Sequence, residues 1–229
     1  MSLYTMTRSS IRGLLNGLCR PTVTGLENVP RTGPVIIASN HLSFLDSIII
    51  QALTPRDVAF FAKAEYFTTP GLKGKAMKTF FESVGSIPVQ RGEQAASVAA
   101  LESLVDILEA GGGIGIYPEG TRSRDGRLYK GRTGVAWLAL TAGVPVVPVG
   151  LVGTDRVQPV GASFPRLAKV RVAFGRPIYP ASFADLPAGK ARRLLTDEVM
   201  DAIAALSGQE RADTYNELPP GSTGAAVGI

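Results

Sequence analysis

The sequence predicts an α/β chain, and three observations carry that reading. Apolar runs of strand length, at 35–38, 58–61, 114–117, 145–151 and 170–174, are interspersed with helical apolar spacing at 44–53, 98–108, 135–141 and 188–206. Gly and Pro separate the two kinds of segment, as strand and helix connections require. The 229 residues are enough to bury a good core as one domain.

The first element is a helix within 1–20, with Ile11, Leu14, Leu15 and Leu18 at helical spacing, three arginines (Arg8, Arg12, Arg20) and no acidic residue. A basic amphipathic helix of this kind lies in a membrane interface or packs its apolar side on its own core, and both readings stand. It has neither the apolar core nor the small-residue cleavage site of a signal peptide, which argues against secretion. The domain is then expected over 21–209, entered by a short strand and a Pro/Gly turn at 23–33.

The next run, Val35-Ile36-Ile37-Ala38-Ser39-Asn40-His41, reads as a buried strand that stops at the only histidine in the chain. Imidazole is the one side chain with an unperturbed pKa near neutrality, about 6.5, so proton transfer by imidazole would happen here. Asp46 lies in the first turn of the following helix, from which it can reach back to His41. A carboxylate on one ring nitrogen fixes the tautomer and leaves the other nitrogen as a base. The plainer alternative is a helix capping box, Ser43-x-x-Asp46.

Residues 57–67 hold a strand-like run ending at Lys63, and 71–81 interleave Lys73, Lys75 and Lys78 with Leu72, Met77, Phe80 and Phe81. From Arg56 to Arg91 there are six basic residues against three acids, a mixture that fits a lipid surface. It would also fit nucleic acid, but no nucleic-acid-binding signature accompanies it. Residues 85–91 alternate like a strand and end on Arg91, which could grip a phosphate with two parallel hydrogen bonds. Val98, Leu101, Val105 and Leu108 then mark an amphipathic helix closed by Gly111-Gly112-Gly113.

The strand Ile114-Gly115-Ile116-Tyr117 opens into Pro118-Glu119-Gly120-Thr121-Arg122-Ser123. Gly120 lets the backbone approach a ligand, Thr121 and backbone N–H groups donate to oxyanions, and Arg122 supplies fixed charge. Glu119 is expected to hold Arg122 or to accept a substrate hydroxyl. Residues 126–133 nearly spell a P-loop, but Arg132 stands where its lysine should be and no strand precedes it, so nucleotide hydrolysis is excluded. No Gly-x-Ser-x-Gly elbow occurs.

Residues 133–154 carry no charge and are long enough to cross a bilayer, but Gly134, Gly143, Pro145, Pro148, Gly150 and Gly153 punctuate them. They read as a buried helix and a buried strand. The two prolines of Val144-Pro145-Val146-Val147-Pro148-Val149 suggest a strand that lines something rather than pairing fully in a sheet centre. After a strand at 170–174 and a helix at 188–206, residues 210–229 are polar and Gly-rich, as in a mobile tail. The single Cys19 allows no internal disulfide, and one Cys with one His excludes the usual zinc sets. A net charge of +5 suits an anionic partner.

Four segments stand in the order of the motifs of the glycerolipid acyltransferases. Asn40-His41 to Asp46 resembles the first, Gly85-x-Ile87-x-Val89-x-Arg91 the second, Glu119-Gly120-Thr121-Arg122 the third and 144–149 the fourth, together spanning about 34–150. The chain thus resembles the 1-acyl-sn-glycerol-3-phosphate acyltransferase family. Thr121 and the Asn40-His41 pair look more like its lysophosphatidate branch than its glycerol-3-phosphate branch.

The resemblance implies a mixed, largely parallel sheet flanked by helices, with the site at the strand ends. It implies transfer of an acyl group from acyl-CoA to the sn-2 hydroxyl of lysophosphatidic acid, with no further cofactor, metal or nucleic acid. His41 would be the base and Asp46 its support. Lys63 would serve the oxyanion or a phosphate, while Arg91 and Arg122 would hold the acceptor phosphate beside Glu119, Gly120 and Thr121. The protein would sit on the anionic cytoplasmic face of a membrane. A different acceptor, or a non-catalytic phospholipid-binding role, are the alternatives.

Overall fold

Strands buried on both faces and helices with one apolar face stack into three layers in this chain. The computed structural model describes residues 3–83, 85–89, 94–162 and 164–217. Helix α1 (Leu3–Leu18) leads to β1 (Thr22–Thr24), β2 (Val35–Ser39), α2 (Asp46–Leu53), β3 (Ala59–Lys63), the short α3 (Glu65–Thr68), α4 (Gly71–Ser83) and β4 (Ile87–Val89). Then come α5 (Gln94–Glu109), β5 (Gly113–Ile116), α6 (Gly134–Ala142), β6 (Val146–Val152), the short α7 (Thr154–Val157), β7 (Arg171–Phe174) and α8 (Ala188–Ser207). The seven strands form one sheet in the order β1-β7-β6-β2-β5-β3-β4. Only the β6–β7 pairing is antiparallel, so the sheet is mixed and largely parallel, flanked by helices as expected.

Alternation along β2 shows how the sequence makes the layers. Ile36 and Ala38 face a core built with α5, α6 and α8, while Val35 and Ile37 face a second core with α1 and α2. All four are fully buried, which is why this strand reads as an unbroken apolar run. From β2 the chain passes through α2 on one face, and from adjacent β5 it passes through α6 on the other. In open α/β sheets a crevice opens at such a switch point, outside the carboxyl ends of the strands. His41 follows β2 there, and Glu119 follows β5.

Helix α1 turns its apolar side inward. Leu15 and Cys19 are buried, Ile11 and Leu18 pack against the same core, and Arg12 donates to the carbonyls of Ala52 (2.6 Å) and Leu53 (2.9 Å) at the end of α2. A guanidinium there satisfies orphan carbonyls and complements the helix dipole. Of the four apolar residues that suggested a membrane-interface helix, only Leu14 is exposed. Among the described residues no helix is long and apolar enough to cross a membrane.

Two expectations are corrected. Strand β6 does not line a cavity but pairs on both sides, with Pro148 in register with Ala38 of β2. On the β7 side the missing proline N–H is accommodated because the partner chain loops out. The Gly175 N–H donates to the Pro148 carbonyl (2.8 Å), and a Cβ at Gly175 would meet the Pro148 ring at 2.9 Å. The second correction concerns the start of the expected tail, where residues 210–216 are stitched to the site. Leu128 donates to Glu210 (2.8 Å), Ala212 to Leu128 (2.8 Å) and Lys130 to Thr214 (3.0 Å), and Lys130 and Arg132 lie over the Tyr215 ring. Residues 218–229 lie outside the described residues.

Gly115 carries a first prediction. It pairs with Phe60 across β5 and β3, and a Cβ at Gly115 would collide with the Phe60 ring, which is itself fully buried. Gly115→Ala is expected to cost about 1–3 kcal/mol of stability, the usual penalty of overpacking. Chemical denaturation of the variant checks it, and an unchanged midpoint would mean that Phe60 moves freely.

Candidate active site

Ser39 ends the β2–β6 ladder, and the side chain of Asn40 then takes over from the main chain. Its Oδ1 accepts the Leu151 N–H (2.8 Å) and its Nδ2 donates to the Leu151 carbonyl (2.9 Å), so the amide imitates one more strand residue. The freed main chain turns at His41. There the His41 N–H donates to Glu119 Oε1 (3.0 Å) and the His41 carbonyl accepts the Ser123 N–H (2.8 Å). The first and third motifs, nearly eighty residues apart in sequence, are thus clasped to one another on both sides of His41.

The imidazole Nδ1 lies 2.8 Å from Asp46 Oδ2. That oxygen also accepts the N–H groups of Leu42 (2.6 Å) and Ser43 (2.7 Å), so one carboxylate oxygen orients the ring and closes the turn before α2. Both sequence readings of Ser43-x-x-Asp46 therefore hold in part: the aspartate reaches back to the Ser43 N–H, as in a capping box, and to the histidine as well. The Ser43 hydroxyl instead donates to the Gln158 carbonyl (3.1 Å). Asp46 is fully buried and its Oδ1 has no hydrogen-bond partner among the described residues. The His41 side chain is 19% exposed. With Nδ1 committed to the carboxylate, Nε2 is the nitrogen left to accept a proton.

Tyr117 stacks on the imidazole, with ring centroids 3.9 Å apart and planes at 11°, and its hydroxyl is 2.8 Å from Ser47 Oγ. Burial pushes the Tyr117 phenol well above its ordinary value, so it stays neutral beside the imidazole. Sequence reasoning missed Tyr117. The available signal was its place just before Pro118-Glu119, but its use depends on the β2–β5 register, in which Ala38 pairs with Ile116. Gln209 was also missed: its Oε1 accepts from Asn40 Nδ2 (2.7 Å) and its Nε2 donates to the Gly126 carbonyl (2.7 Å).

Glu119 departs from expectation. It is fully buried, and its second oxygen accepts the Tyr129 N–H (3.0 Å), so both oxygens are engaged by main-chain N–H groups and neither pairs with Arg122. It is a strut between the His41 turn and the 128–130 segment. Gly120 closes the turn with an N–H to the Tyr117 carbonyl (2.9 Å) at φ 78°, a conformation that favours glycine. The Thr121 carbonyl accepts from Asn216 Nδ2 (3.3 Å). Arg122 is partly exposed on this loop and makes no ion pair among the described residues. Lys63 ends β3 in register with Val89 of β4, and β5 separates β3 from β2. Arg91 lies outside the described residues.

Burial raises the Glu119 carboxyl from 4.5 to about 7, and the two N–H donors only partly offset that. The folded state then holds this proton more tightly than the unfolded chain. The contribution is complete below about pH 4.5 and is lost as pH rises through about 7. It amounts to about 3 kcal/mol. Urea denaturation at pH 5 and 8 should show wild type losing about 2.5 kcal/mol more stability than Glu119→Gln, because the unfolded carboxyl is already mostly ionised at pH 5. Equal losses would refute the assignment.

A stacked imidazole with one nitrogen on a buried carboxylate, at the switch point of an α/β sheet, has the geometry that a general base requires. A family model described as Acyltransferase matches residues 20–152, and the chain belongs to that family. It is 35% identical over 179 residues to a chloroplastic 1-acyl-sn-glycerol-3-phosphate acyltransferase of Brassica napus, covering 77% of this chain and 50% of that protein. It is 25% identical over 206 residues to the 1-acyl-sn-glycerol-3-phosphate acyltransferase of Bacillus subtilis, covering 89% of this chain and 96% of that protein. The chain spans about half the length of the plant relatives it matches. Among solved structures it is similar to the 1-acyl-sn-glycerophosphate (LPA) acyltransferase PlsC of Thermotoga maritima, with TM-score 0.70 and 25% identity over 89% of this chain and 79% of that one.

Proposed function

We propose that this chain transfers a fatty acyl group from acyl-CoA to the sn-2 hydroxyl of 1-acylglycerol-3-phosphate, giving phosphatidic acid. The observation that carries the reading is the Nδ1–Oδ2 contact of 2.8 Å between His41 and Asp46, which commits one ring nitrogen and leaves the other for the acceptor hydroxyl. The names of the relatives supply the acceptor.

In the proposed reaction His41 Nε2 takes the proton of the hydroxyl as its oxygen attacks the thioester carbonyl, and Asp46 stabilises the resulting imidazolium. The oxyanion collapses and expels the thiolate of CoA, which takes up the proton. No covalent acyl-enzyme is needed, because a thiolate leaves readily. Arg122, with Gly120 and Thr121, would meet the acceptor phosphate, and Lys63 and Arg91 would serve the phosphate or the oxyanion. The enzyme would work as a peripheral protein on the cytoplasmic face of an anionic membrane.

Thiol release from palmitoyl-CoA with and without lysophosphatidate tests the reading. Release that depends on the acceptor supports it; release without acceptor indicates a thioesterase, and greater release with glycerol-3-phosphate reassigns the acceptor. Arg122→Ala is expected to raise KM for the acceptor by roughly 10- to 100-fold, the equivalent of one lost hydrogen bond to a charged group. The KM for acyl-CoA should stay close to wild type, and the opposite ranking would place Arg122 at the donor.

A further inference from the structure

We propose that the loop running from Gln158 to Lys169 is a wedge that docks the site mouth onto an anionic lipid bilayer. Three large apolar side chains stand out of this one loop: Val160 at 45%, Phe164 at 81% and Leu167 at 79% exposed. Single exposed apolar residues are ordinary, but three within eight positions form a patch that calls for a covering surface. Between 155 and 171 the exposed charges are Arg156, Arg166, Lys169 and Arg171 against Asp155 alone. Apolar tips ringed by cations complement an anionic interface: the tips enter the acyl boundary while the cations stay with the headgroups.

The described parts of the loop, 158–162 and 164–169, are held. Its roots Val157 and Val170 are buried, the Arg166 N–H donates to the Val157 carbonyl (2.7 Å), and a turn closes from Ala162 to Pro159 (3.0 Å). It is also tied to the site, because the Ser43 hydroxyl bonds the Gln158 carbonyl while the Ser43 N–H bonds Asp46. On the other flank, next to Ser43, Phe44 is 39% exposed and sets its ring edge-on to Tyr66 and Phe81, and Leu72 of α4 is 89% exposed. Because both arginines of α1, Arg8 and Arg12, donate to carbonyls at the end of α2, the loop supplies cations that α1 does not.

The inference rests on the reading above only for its purpose, delivery of a membrane-borne acceptor, and the experiment separates the two. Full-length chain and two variants, Phe164→Ser/Leu167→Ser and Arg166→Gln/Lys169→Gln, are floated with phosphatidylcholine vesicles with or without phosphatidylglycerol. The apolar variant should bind phosphatidylglycerol vesicles about tenfold more weakly, and the charge variant should lose most of the preference for phosphatidylglycerol. Turnover of a monomeric short-chain lysophosphatidate should be unchanged in both variants, while turnover of a long-chain acceptor held in vesicles falls. Weaker vesicle binding with no acyl transfer by any form would uphold the wedge and overturn the acyltransferase reading. Equal vesicle binding by wild type and variants, or no binding by wild type, overturns the wedge. A wild-type dimer in sedimentation that the apolar variant abolishes would also overturn it, by making a second copy the occupant.

Discussion

Replacing His41 by alanine should lower acceptor-dependent thiol release by about 10²- to 10⁴-fold, the usual share of a positioned general base. The variant should fold. What holds the turn is the main chain of His41, bonded to Glu119 and Ser123, and these bonds survive removal of the ring. The imidazole is 19% exposed, and its loss leaves Tyr117 without its stacking partner but no buried polar group newly stranded in the turn. The turn N–H groups of Leu42 and Ser43 keep their bonds to Asp46. Acceptor-dependent release is measured beside the denaturation midpoint of each protein. A folded alanine variant with wild-type turnover would remove His41 from the chemistry.

Asp46→Asn is the second large effect, with a different division between rate and stability. The amide oxygen can take the place of Oδ2 and still accept from Leu42, Ser43 and the imidazole. What disappears is the negative charge that stabilises the imidazolium, so kcat should fall by at least about 10²-fold. The amide nitrogen must then occupy the position of Oδ1, which is buried with no partner among the described residues. Stranding two N–H donors there should cost about 1–3 kcal/mol. The opposite amide orientation would set NH₂ against two backbone N–H groups. Steady-state kinetics and urea denaturation of the same preparation check both parts. A variant with lowered stability but wild-type kcat would make Asp46 a strut of the turn and no more.

Particular residues show how far the sequence carried. His41 and Asp46 were legible because a single histidine at the end of an apolar run, with a carboxylate in the next helical turn, is a local pattern. The strand of 35–38 was legible because both its faces are buried. Arg122 was legible as a charge on a turn after a strand. Of the two roles expected of Glu119, holding Arg122 does not occur, because its partners are N–H groups of residues 41 and 129 and not the arginine three positions on. The first residues of the tail were misread because Gly-rich polar composition signals mobility, and only the Leu128–Lys130 segment gives them backbone partners. For helix α1 the sequence offered two readings, and the bonds of Arg12 to the C-terminal carbonyls of α2 favour the one in which it packs on the protein.

By itself the sequence determined the α/β class and the pairing of His41 with Asp46, because hydrophobic period and short spacing are local properties of a chain. The tertiary structure decided which strand lies beside which. Inserting β5 between β2 and β3 put Tyr117 on His41 and Glu119 under its N–H, while packing α8 on β6 put Gln209 behind Asn40. Those contacts join residues far apart in sequence. Their partners are chosen by sheet register and by the need to satisfy every buried N–H and carbonyl, neither of which is written in any short stretch of residues.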